Sequence, residues 1–386
     1  MWLRRRGYKK LLRMQIRPMN NKFLNVFFIK ITKLSAVLLC LILLVCAIGL
    51  AMQYSAGGGN FYQYAFSYLM KTLLGFVVLF IVFRLDLKII FLLTDYFYYA
   101  SLFLLVLVEI LGDIRLGAQR WLNLGVFAIQ PSEIMKIAII LMLAKYFHGL
   151  SSLQTGKFKY YLMPAVIAIV PFLLILKQPD LGTAVMIALI AISLFFLSGF
   201  RLRYFAAMGL SMLIILPIAW FNLHNYQKER ILNFLNPDRD PLGSGYHIIQ
   251  SKIAIGSGEF FGKGFLKGTQ AQLDFLPEKH TDFIFTLFAE EFGFMGSMFL
   301  IMLYAAIIIT ILMMSYRCSY AFGRYIIAGI GTMLFIYVFV NIGMVSGILP
   351  VVGIPLPLIS YGGTSMITLM TGFGLILNIE NHKNYA

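Results

Sequence analysis

The sequence predicts an all-α membrane protein of about ten transmembrane helices, with one large loop between the seventh and the eighth. Hydrophobic residues make up 60% of the chain, the mean hydropathy is +0.84 and only 12% of the residues are charged. A soluble domain carries about a quarter charged residues. The apolar residues fall into long runs, each close to the roughly 20 residues that a helix needs to cross a bilayer. Because lipid offers no hydrogen bonds to peptide groups, these runs are expected to cross as helices.

Ten apolar runs are predicted to span the membrane, the fourth and fifth being short. In order, they cover residues 34–53, 66–84, 89–110, 133–148, 160–176, 181–200, 203–223, 283–314, 322–346 and 363–379. Residues 224–282, between the seventh and eighth spans, form the large loop. We expect 34–379 to be a single membrane domain, flanked by a basic tail, 1–33, and a short tail, 380–386.

The distribution of Lys and Arg predicts how the chain is oriented. Residues 1–33 hold ten of the 32 Lys and Arg residues, and the segments expected on the same side of the membrane bring that number to 20. On the other side, the segment 53–65 holds none, and the loop 224–282 holds seven basic and seven acidic residues. Since cytoplasmic loops carry the excess of Lys and Arg, both termini are predicted to be cytoplasmic and the large loop to face outward.

The net charge of +16 does not indicate a nucleic-acid-binding protein. The charge is concentrated in the tail before the first span, a position typical of topology signals and of contact with anionic membrane lipids. This tail lacks the small-residue cleavage pattern of a secretory signal and is interpreted as a cytoplasmic tail. Neither the three cysteines nor the five histidines have the spacing of a disulfide framework or a metal site.

Three segments on the predicted outer side are too rich in motifs to be simple connectors: 111–132, 224–282 and 347–365. Long loops in a compact protein are usually functional or disordered. The inner connections are short and basic, and they carry no recognisable chemistry. We therefore expect activity at the outer face.

Asp282 is the candidate catalytic residue of these segments. It ends the run Pro277-Glu278-Lys279-His280-Thr281-Asp282 and opens the eighth predicted span. One interpretation is a helix N-cap, because Asp accepts hydrogen bonds from free backbone N–H groups there. A helix N-terminus also favours an ionised carboxylate, which is the form that a general base needs. The two interpretations are compatible.

Glu133 and Lys136 lie one turn apart at the start of the fourth span, on one face of the helix. Exposing either charge to lipid is costly, so this face is predicted to turn away from lipid. The pair either neutralises itself and fixes helix packing, or lines the outward cavity near Asp282 and places an anionic substrate. The carboxylates Glu290 and Glu291, in the eighth span, have the same two interpretations, a structural role or a role in a polar cavity.

Several cations lie on the predicted outer side, against the usual orientation preference, and Arg and Lys bind phosphate oxygens well. A diphosphate substrate accounts for them, and contact with lipid phosphates is the alternative. The cations are Arg115, Arg120, Lys177, Lys252, Lys263 and Lys267. Asp180 and Ser360 precede the sixth and tenth spans, where polar groups either cap a helix or help to bind an anion.

The outer motifs resemble those of the SEDS family of shape, elongation, division and sporulation proteins, over nearly the whole chain from about residue 35. The motifs are Gly117-Ala118-Gln119-Arg120-Trp121, Gln130-Pro131-Ser132-Glu133 with Lys136, Gln178-Pro179-Asp180-Leu181-Gly182-Thr183, Gly243-Ser244-Gly245-Tyr246, Gly262-Lys263-Gly264, Phe275 to Phe283, and Ser360-Tyr361-Gly362-Gly363. Two of the segments are closer to the elongation branch than to the division branch. Glu259 departs from the family, whose members often carry glycine there.

The resemblance implies a peptidoglycan glycosyltransferase of the bacterial inner membrane that uses lipid II, inverts the anomeric carbon and releases undecaprenyl diphosphate. It implies Asp282 as the base, and a class B penicillin-binding protein as the transpeptidase partner. The residues expected to bind substrate are Arg120, Glu133, Lys136, Asp180, Lys263, His280 and Ser360. A divalent cation, Mg²⁺ or Mn²⁺, is the one cofactor that the chemistry leaves open. The alternative function is a flippase for lipid-linked precursors.

Overall fold

The computed structural model describes residues 32–115, 118–123, 128–222, 228, 232, 244–273, 275 and 278–382. Its helices in this part of the chain are α1 (Lys33–Ala56), α2 (Phe66–Arg84), α3 (Leu87–Leu111), α4 (Pro131–His148), α5 (Leu162–Lys177), α6 (Leu181–Leu197), α7 (Leu202–Asn222), α8 (Ser244–Ser257), α9 (Thr269–Gln272), α10 (Ile284–Arg317), α11 (Ala321–Val345) and α12 (Gly363–His382). A π-helical turn, Phe61–Ala65, precedes α2, and a 3₁₀ turn, Phe158–Tyr160, precedes α5. The tails 1–31 and 383–386 lie outside the described residues.

The helices α1 to α7 and α10 to α12 coincide one for one with the ten predicted spans, including the short fourth and fifth. Five are long and apolar enough to cross a membrane, namely Lys33–Ala56, Phe61–Arg84, Leu87–Leu111, Ile284–Arg317 and Ala321–Val345. The helices α5 and α6 are shorter but apolar. The prediction of an all-α membrane protein is thereby confirmed.

Helix starts follow local sequence signals. Thr32 caps α1, its hydroxyl accepting the backbone N–H of Ser35 at 3.2 Å. Asp180 caps α6 by accepting the N–H of Thr183 at 3.2 Å. Pro131 occupies the first turn of α4, where its missing N–H costs nothing.

The segment between α3 and α4 contains three short strands. They are β1 (Asp113–Arg115), β2 (Ala118–Asn123) and β3 (Ala128–Ile129), paired antiparallel in the order β1-β2-β3. The sequence indicated a motif-rich loop here but no strands, since these pairings are too short to leave a periodic pattern.

Helix ends from across the chain meet at one end of the bundle, which we call the loop face. It comprises the described residues within 57–65, 112–130, 178–180, 244–283 and 346–362. Between α3 and α4 at the opposite end of the bundle, Lys145 pairs with Asp95 at 3.0 Å. The described site residues of interest all belong to the loop face or to the helix turns next to it.

Candidate active site at the loop face

The residues before α10 form a compact turn. The N–H groups of Thr281 and Phe283 both donate to the carbonyl of Glu278, at 3.0 and 3.4 Å. The helix begins at Ile284, and its N-cap, Phe283, makes no side-chain capping bond. The expectation that Asp282 caps this helix is therefore wrong: the turn continues past Asp282, and its side chain is left to other contacts.

Two buried amides fasten this turn to the segment before α12. Asn341 of α11 donates to the carbonyl of Asp282 at 2.9 Å and to that of Ile354 at 2.7 Å. Gln53 of α1 donates to the carbonyls of His280 and Ile359, at 3.0 and 2.9 Å. Both amide side chains are fully buried. Each therefore joins two loop segments through bonds that water cannot replace.

Ser360 adds a third connection between the same segments. Its hydroxyl donates to the carbonyl of Thr281 at 2.6 Å and accepts the N–H of Leu356 at 2.7 Å. The N–H of Tyr361 donates to the carbonyl of His280 at 2.9 Å. The structure thus gives Ser360 a role in fixing the turn, and its contact with substrate stays a prediction.

The Asp282 carboxylate is half-buried beside Gly353. A Cβ atom at Gly353 would lie 3.3 Å from Oδ2 of Asp282, and Gly353 has a φ of +72°. Glycine adopts that conformation without strain and leaves the space next to the oxygen open. Asn341 fixes the backbone of Asp282, and the role of its carboxylate as a general base stays a prediction.

His280 lies in an aromatic cluster two residues before Asp282. Its ring stacks on Tyr64, with centroids 4.3 Å apart and planes 10° from parallel, and meets Tyr361 edge-on at 5.7 Å. Burial lowers the pKa of His280 below its usual value, and the positive charges of Lys279 and Lys71 add to the effect, against the opposing influence of Glu278. His280 is therefore neutral at pH 7.

The lowered pKa of His280 predicts a loss of stability in acid. The folded state disfavours the imidazolium, so the stability present above the ordinary pKa of 6.5 falls as the pH drops below it. We expect the melting temperature of the purified protein to decrease between pH 7 and pH 5. His280→Phe keeps the stacked ring and cannot titrate, so it should flatten that decrease. An unchanged slope in the variant would assign the effect to other groups.

Glu133, Lys136 and Tyr337 of α11 form a closed triangle. Lys136 donates to Glu133 Oε1 at 2.6 Å and also to the Tyr337 hydroxyl, which in turn donates to Glu133 Oε2 at 2.6 Å. All three side chains are buried, with Lys136 only 1% exposed. The prediction that this face turns away from lipid is confirmed. Tyr337 lines a narrow cleft together with Leu356, Ser360, Gly362 and Met366.

Arg120 of β2 and Asp180 hold the loop between α5 and α6. Arg120 donates to the carbonyls of Gln178 and Pro179, and its guanidinium lies 3.9 Å from Asp180. Gln130 donates to the other oxygen of Asp180 at 3.2 Å. Asp180 is 5% exposed, so the structure gives it capping and pairing roles, and substrate binding by either residue stays a prediction.

Lys263 is paired with a buried carboxylate. Its ammonium lies 2.7 Å from Oε1 of Glu290, which is fully buried and also accepts the hydroxyl of Thr269 at 3.1 Å. The neighbouring Glu291 accepts bonds from the Ser55 hydroxyl and from the N–H of Leu266. These carboxylates thus have protein partners, and binding of substrate by Lys263 stays a prediction.

Residues 258–264 insert into a break in α10. Gly293 has φ +65° and ψ −160° within the helix. The carbonyls of Glu290 and Glu291 accept the N–H groups of Lys263 and Gly264, both at 3.0 Å, instead of those of Phe294 and Met295. In exchange, the N–H groups of those two donate to the loop carbonyls of residues 259 and 260. Backbone groups of the loop therefore replace the hydrogen bonds that the helix lacks at the break.

Glu259 lies within the inserted loop at a φ of +48°. A non-glycine residue is strained in this region, whereas glycine adopts it without strain.

Sequence reasoning missed Gln53, Asn341 and Tyr337 as parts of the site. The available signal was their polarity, since a buried amide within an apolar span needs hydrogen-bond partners. It also missed Lys71, which lies in the second turn of α2. In the described ranges, no group of three or more His, Cys, Asp or Glu side chains converges as a metal site.

Residues 29–385 match the family model FtsW/RodA/SpoVE, described as "Cell cycle protein". The peptidoglycan glycosyltransferase MrdB of Escherichia coli (strain K12) is 50% identical over 289 residues, which cover 75% of this chain and 78% of that protein. Stage V sporulation protein E of Bacillus subtilis (strain 168) is 35% identical over 373 residues, covering 92% of this chain and 99% of that protein.

Solved structures of the same family are also similar to this chain. A chain from work on the structural coordination of polymerization and crosslinking by a peptidoglycan synthase complex superimposes with a TM-score of 0.78 at 31% identity, covering 90% of this chain and 97% of that one. The rod shape determining protein RodA of Thermus thermophilus superimposes with a TM-score of 0.68 at 28% identity, covering 90% and 96%. The chain described here therefore belongs to the FtsW/RodA/SpoVE family.

Proposed function

We propose that the chain is a peptidoglycan glycosyltransferase that polymerises lipid II into glycan strands during cell elongation. The observation that carries the proposal is Asp282, a half-buried carboxylate on a turn fixed by Asn341, Gln53 and Ser360. The similarity to MrdB, which carries the name peptidoglycan glycosyltransferase, supports the same activity.

In the proposed reaction, Asp282 accepts the proton of a sugar hydroxyl. The 4-hydroxyl of N-acetylglucosamine in one lipid II attacks the anomeric carbon of N-acetylmuramic acid at the end of the growing chain. The bond from that carbon to the diphosphate breaks, and undecaprenyl diphosphate leaves with the electron pair. One displacement inverts the anomeric centre, so one base and a stabilised leaving group are sufficient.

The leaving diphosphate needs positive charge. The buried pair Glu133 and Lys136 is next to the cleft through Tyr337, and we assign it to placing the diphosphate or its accompanying cation. Arg120 and Lys263 are held by Asp180 and Glu290, so each would reach a phosphate only by sharing or exchanging its present partner. The proposal also includes a divalent cation, which would be bound by the substrate phosphates and would neutralise part of their negative charge.

The proposal includes a partner and an orientation. The solved chain that is 31% identical to this one comes from a peptidoglycan synthase complex described as coordinating polymerization and crosslinking. We therefore propose a class B penicillin-binding protein as partner, with the loop face outward from the inner membrane and both termini cytoplasmic. The distribution of Lys and Arg supports this orientation.

A flippase is the second candidate, because it too would carry polar groups within the membrane. The charges concerned lie within the first two turns of α4 and α10, and each has a protein partner. Among the described residues, these charges therefore do not form a polar pathway through the middle of the bundle, as a flippase would need. This favours the enzyme.

The experiment that separates the candidates is performed without a bilayer. Purified chain in detergent, with and without the partner and Mg²⁺ or Mn²⁺, is incubated with lipid II, and the products are separated on a gel. The glycosyltransferase should give polymer, since translocation has no meaning in detergent. Lipid II left intact under every combination would reject the enzyme and favour either a flippase or a scaffold.

A further inference from the structure

Lys71 is a cation near the proposed site that has no role in the reaction described above. It lies in the second turn of α2, close to the loop face, and is half-buried. Its ammonium is 3.4 Å from the ring centroid of Tyr361, and its stem lies 3.6 Å from where a Cβ of Gly363 would be. Lys71 is thus held between α2 and the start of α12.

The Tyr361 ring is itself fixed in this position. Its hydroxyl is 2.9 Å from that of Ser67, one turn before Lys71 on the same face of α2. Its backbone N–H donates to His280, and its ring edge meets the His280 ring. Because Asp282 is two residues from His280, Lys71 lies across one aromatic layer from the turn that carries the proposed base.

Lys71 has no carboxylate within ion-pair distance among the residues that the structure describes. A contact with an aromatic face is worth about 0.5–2 kcal/mol, and an ammonium has three N–H donors. A lysine at this depth in a membrane protein normally has an anionic partner or faces a polar pathway. The cation therefore retains the capacity to bind an anion.

Lys71 also affects the electrostatics of Tyr361. Burial tends to raise the pKa of Tyr361, but hydrogen bonds from Lys71 and Ser67 and the charge of Lys71 outweigh it, so that the pKa is lowered. The same charge contributes to the lowered pKa of His280. Lys71 thus acts on both aromatic groups next to the Asp282 turn.

We infer that Lys71, held over the Tyr361 ring, binds a phosphate-ester anion of the lipid-linked substrate and positions its diphosphate beside Asp282. The inference rests on the proposed function for the identity of the substrate. A phospholipid headgroup offers the same chemistry, and ammonium groups bind either as a point charge. The placement next to the Asp282 turn favours the substrate.

The test is a kinetic comparison in non-ionic detergent without phospholipid. Lys71→Met should raise the KM for lipid II about tenfold with a much smaller change in kcat, and Lys71→Arg should restore most of the affinity. Lys88→Met, which removes the same charge at the opposite end of the bundle, is the matched control and should match wild type. Lys71→Gln is a second variant if the methionine variant melts early.

Two results would overturn the inference. One is an unchanged KM in well-folded Lys71→Met and Lys71→Gln. The other is a KM difference that arises only when phosphatidylglycerol is added, which would assign the site to a lipid headgroup.

A second probe keeps this test separate from the proposed function. Inorganic pyrophosphate should raise the melting temperature of wild type and of Lys88→Met, with the shift lost in Lys71→Met. If wild type makes no polymer but shows this Lys71-dependent shift, the proposed function fails and the anion site stands. If wild type polymerises and pyrophosphate stabilises all variants equally, the inference about Lys71 fails alone.

Discussion

Exchanging the buried charges, Glu133→Lys together with Lys136→Glu, is expected to lower the rate of glycan polymerisation by about 100-fold or more, the usual loss when an electrostatic group of an active site is removed. Mutual attraction survives the exchange, so the helices should still pack. If the pair places the substrate diphosphate as proposed, the exchange changes the sign of the charge that acts on it. Polymer formation from lipid II measures the activity, and the melting temperature checks the fold.

Single variants show how much stability the triangle provides. Lys136→Met leaves Glu133 buried without its cation, which costs about 3–5 kcal/mol. The matched control for the exchange is the pair Lys145 and Asp95 at the opposite end of α4, 3.0 Å apart. Exchanging those two charges should leave polymerisation unchanged. A well-folded Glu133/Lys136 exchange variant with normal polymerisation would leave only a packing role.

Gly262→Ala is expected to destabilise the protein strongly. A Cβ at Gly262 would overlap the backbone carbonyl of Glu291, and Gly262 has a φ of +80°. The left-handed conformation costs an alanine about 1–2 kcal/mol, and overpacking costs about 1–3 kcal/mol more. The loop would have to withdraw from the break in α10, so the backbone exchange with Lys263 and Gly264 would be lost.

Gly256→Ala is the matched control for this prediction. Gly256 lies in α8, and a Cβ there would meet no atom within 4 Å. Alanine in a helix is better than glycine by about 0.5–1 kcal/mol, so this variant should melt at or slightly above the wild-type temperature. Equal melting temperatures for the two variants would contradict the described insertion of residues 258–264 into α10.

The spans could be predicted from the sequence because each is a local pattern. A run of about 20 apolar residues specifies a membrane helix without knowledge of its neighbours. Even α4, which contains Glu133, Lys136 and Lys145, was found, since the distribution of positive charge requires a crossing there. Local capping signals such as Asp180 likewise marked the helix starts.

The architecture of the site could not be predicted in the same way. The motif around Asp282 was visible, but its attachment depends on Gln53 and Asn341, of which Gln53 is 227 residues away from His280 in sequence. No local pattern indicates which loop a buried amide will join. The N-cap interpretation of Asp282 failed for the related reason that the turn from Glu278 uses backbone bonds, which side-chain identity does not reveal.

The insertion of residues 258–264 into α10 is another feature that could not be predicted from the sequence. Gly293 is far in sequence from Gly258 and Gly262, and all three are ordinary glycines when read singly. Their roles follow from the close approach of two backbones, since a Cβ at Gly293 would overlap the backbone of Gly262. The structure thus gives the segment from Gly258 to Lys263 a structural role in α10.

The central claim is that Asp282 is the base of glycan polymerisation, and the rate of lipid II polymerisation by Asp282→Asn tests it most directly. Asparagine keeps the size of the side chain and leaves the backbone bond from Asn341 in place. General base catalysis contributes roughly 10²–10⁴-fold, so the folded variant with its partner should lose at least about 100-fold in rate. A rate near that of wild type, with an unchanged melting temperature, would contradict the account.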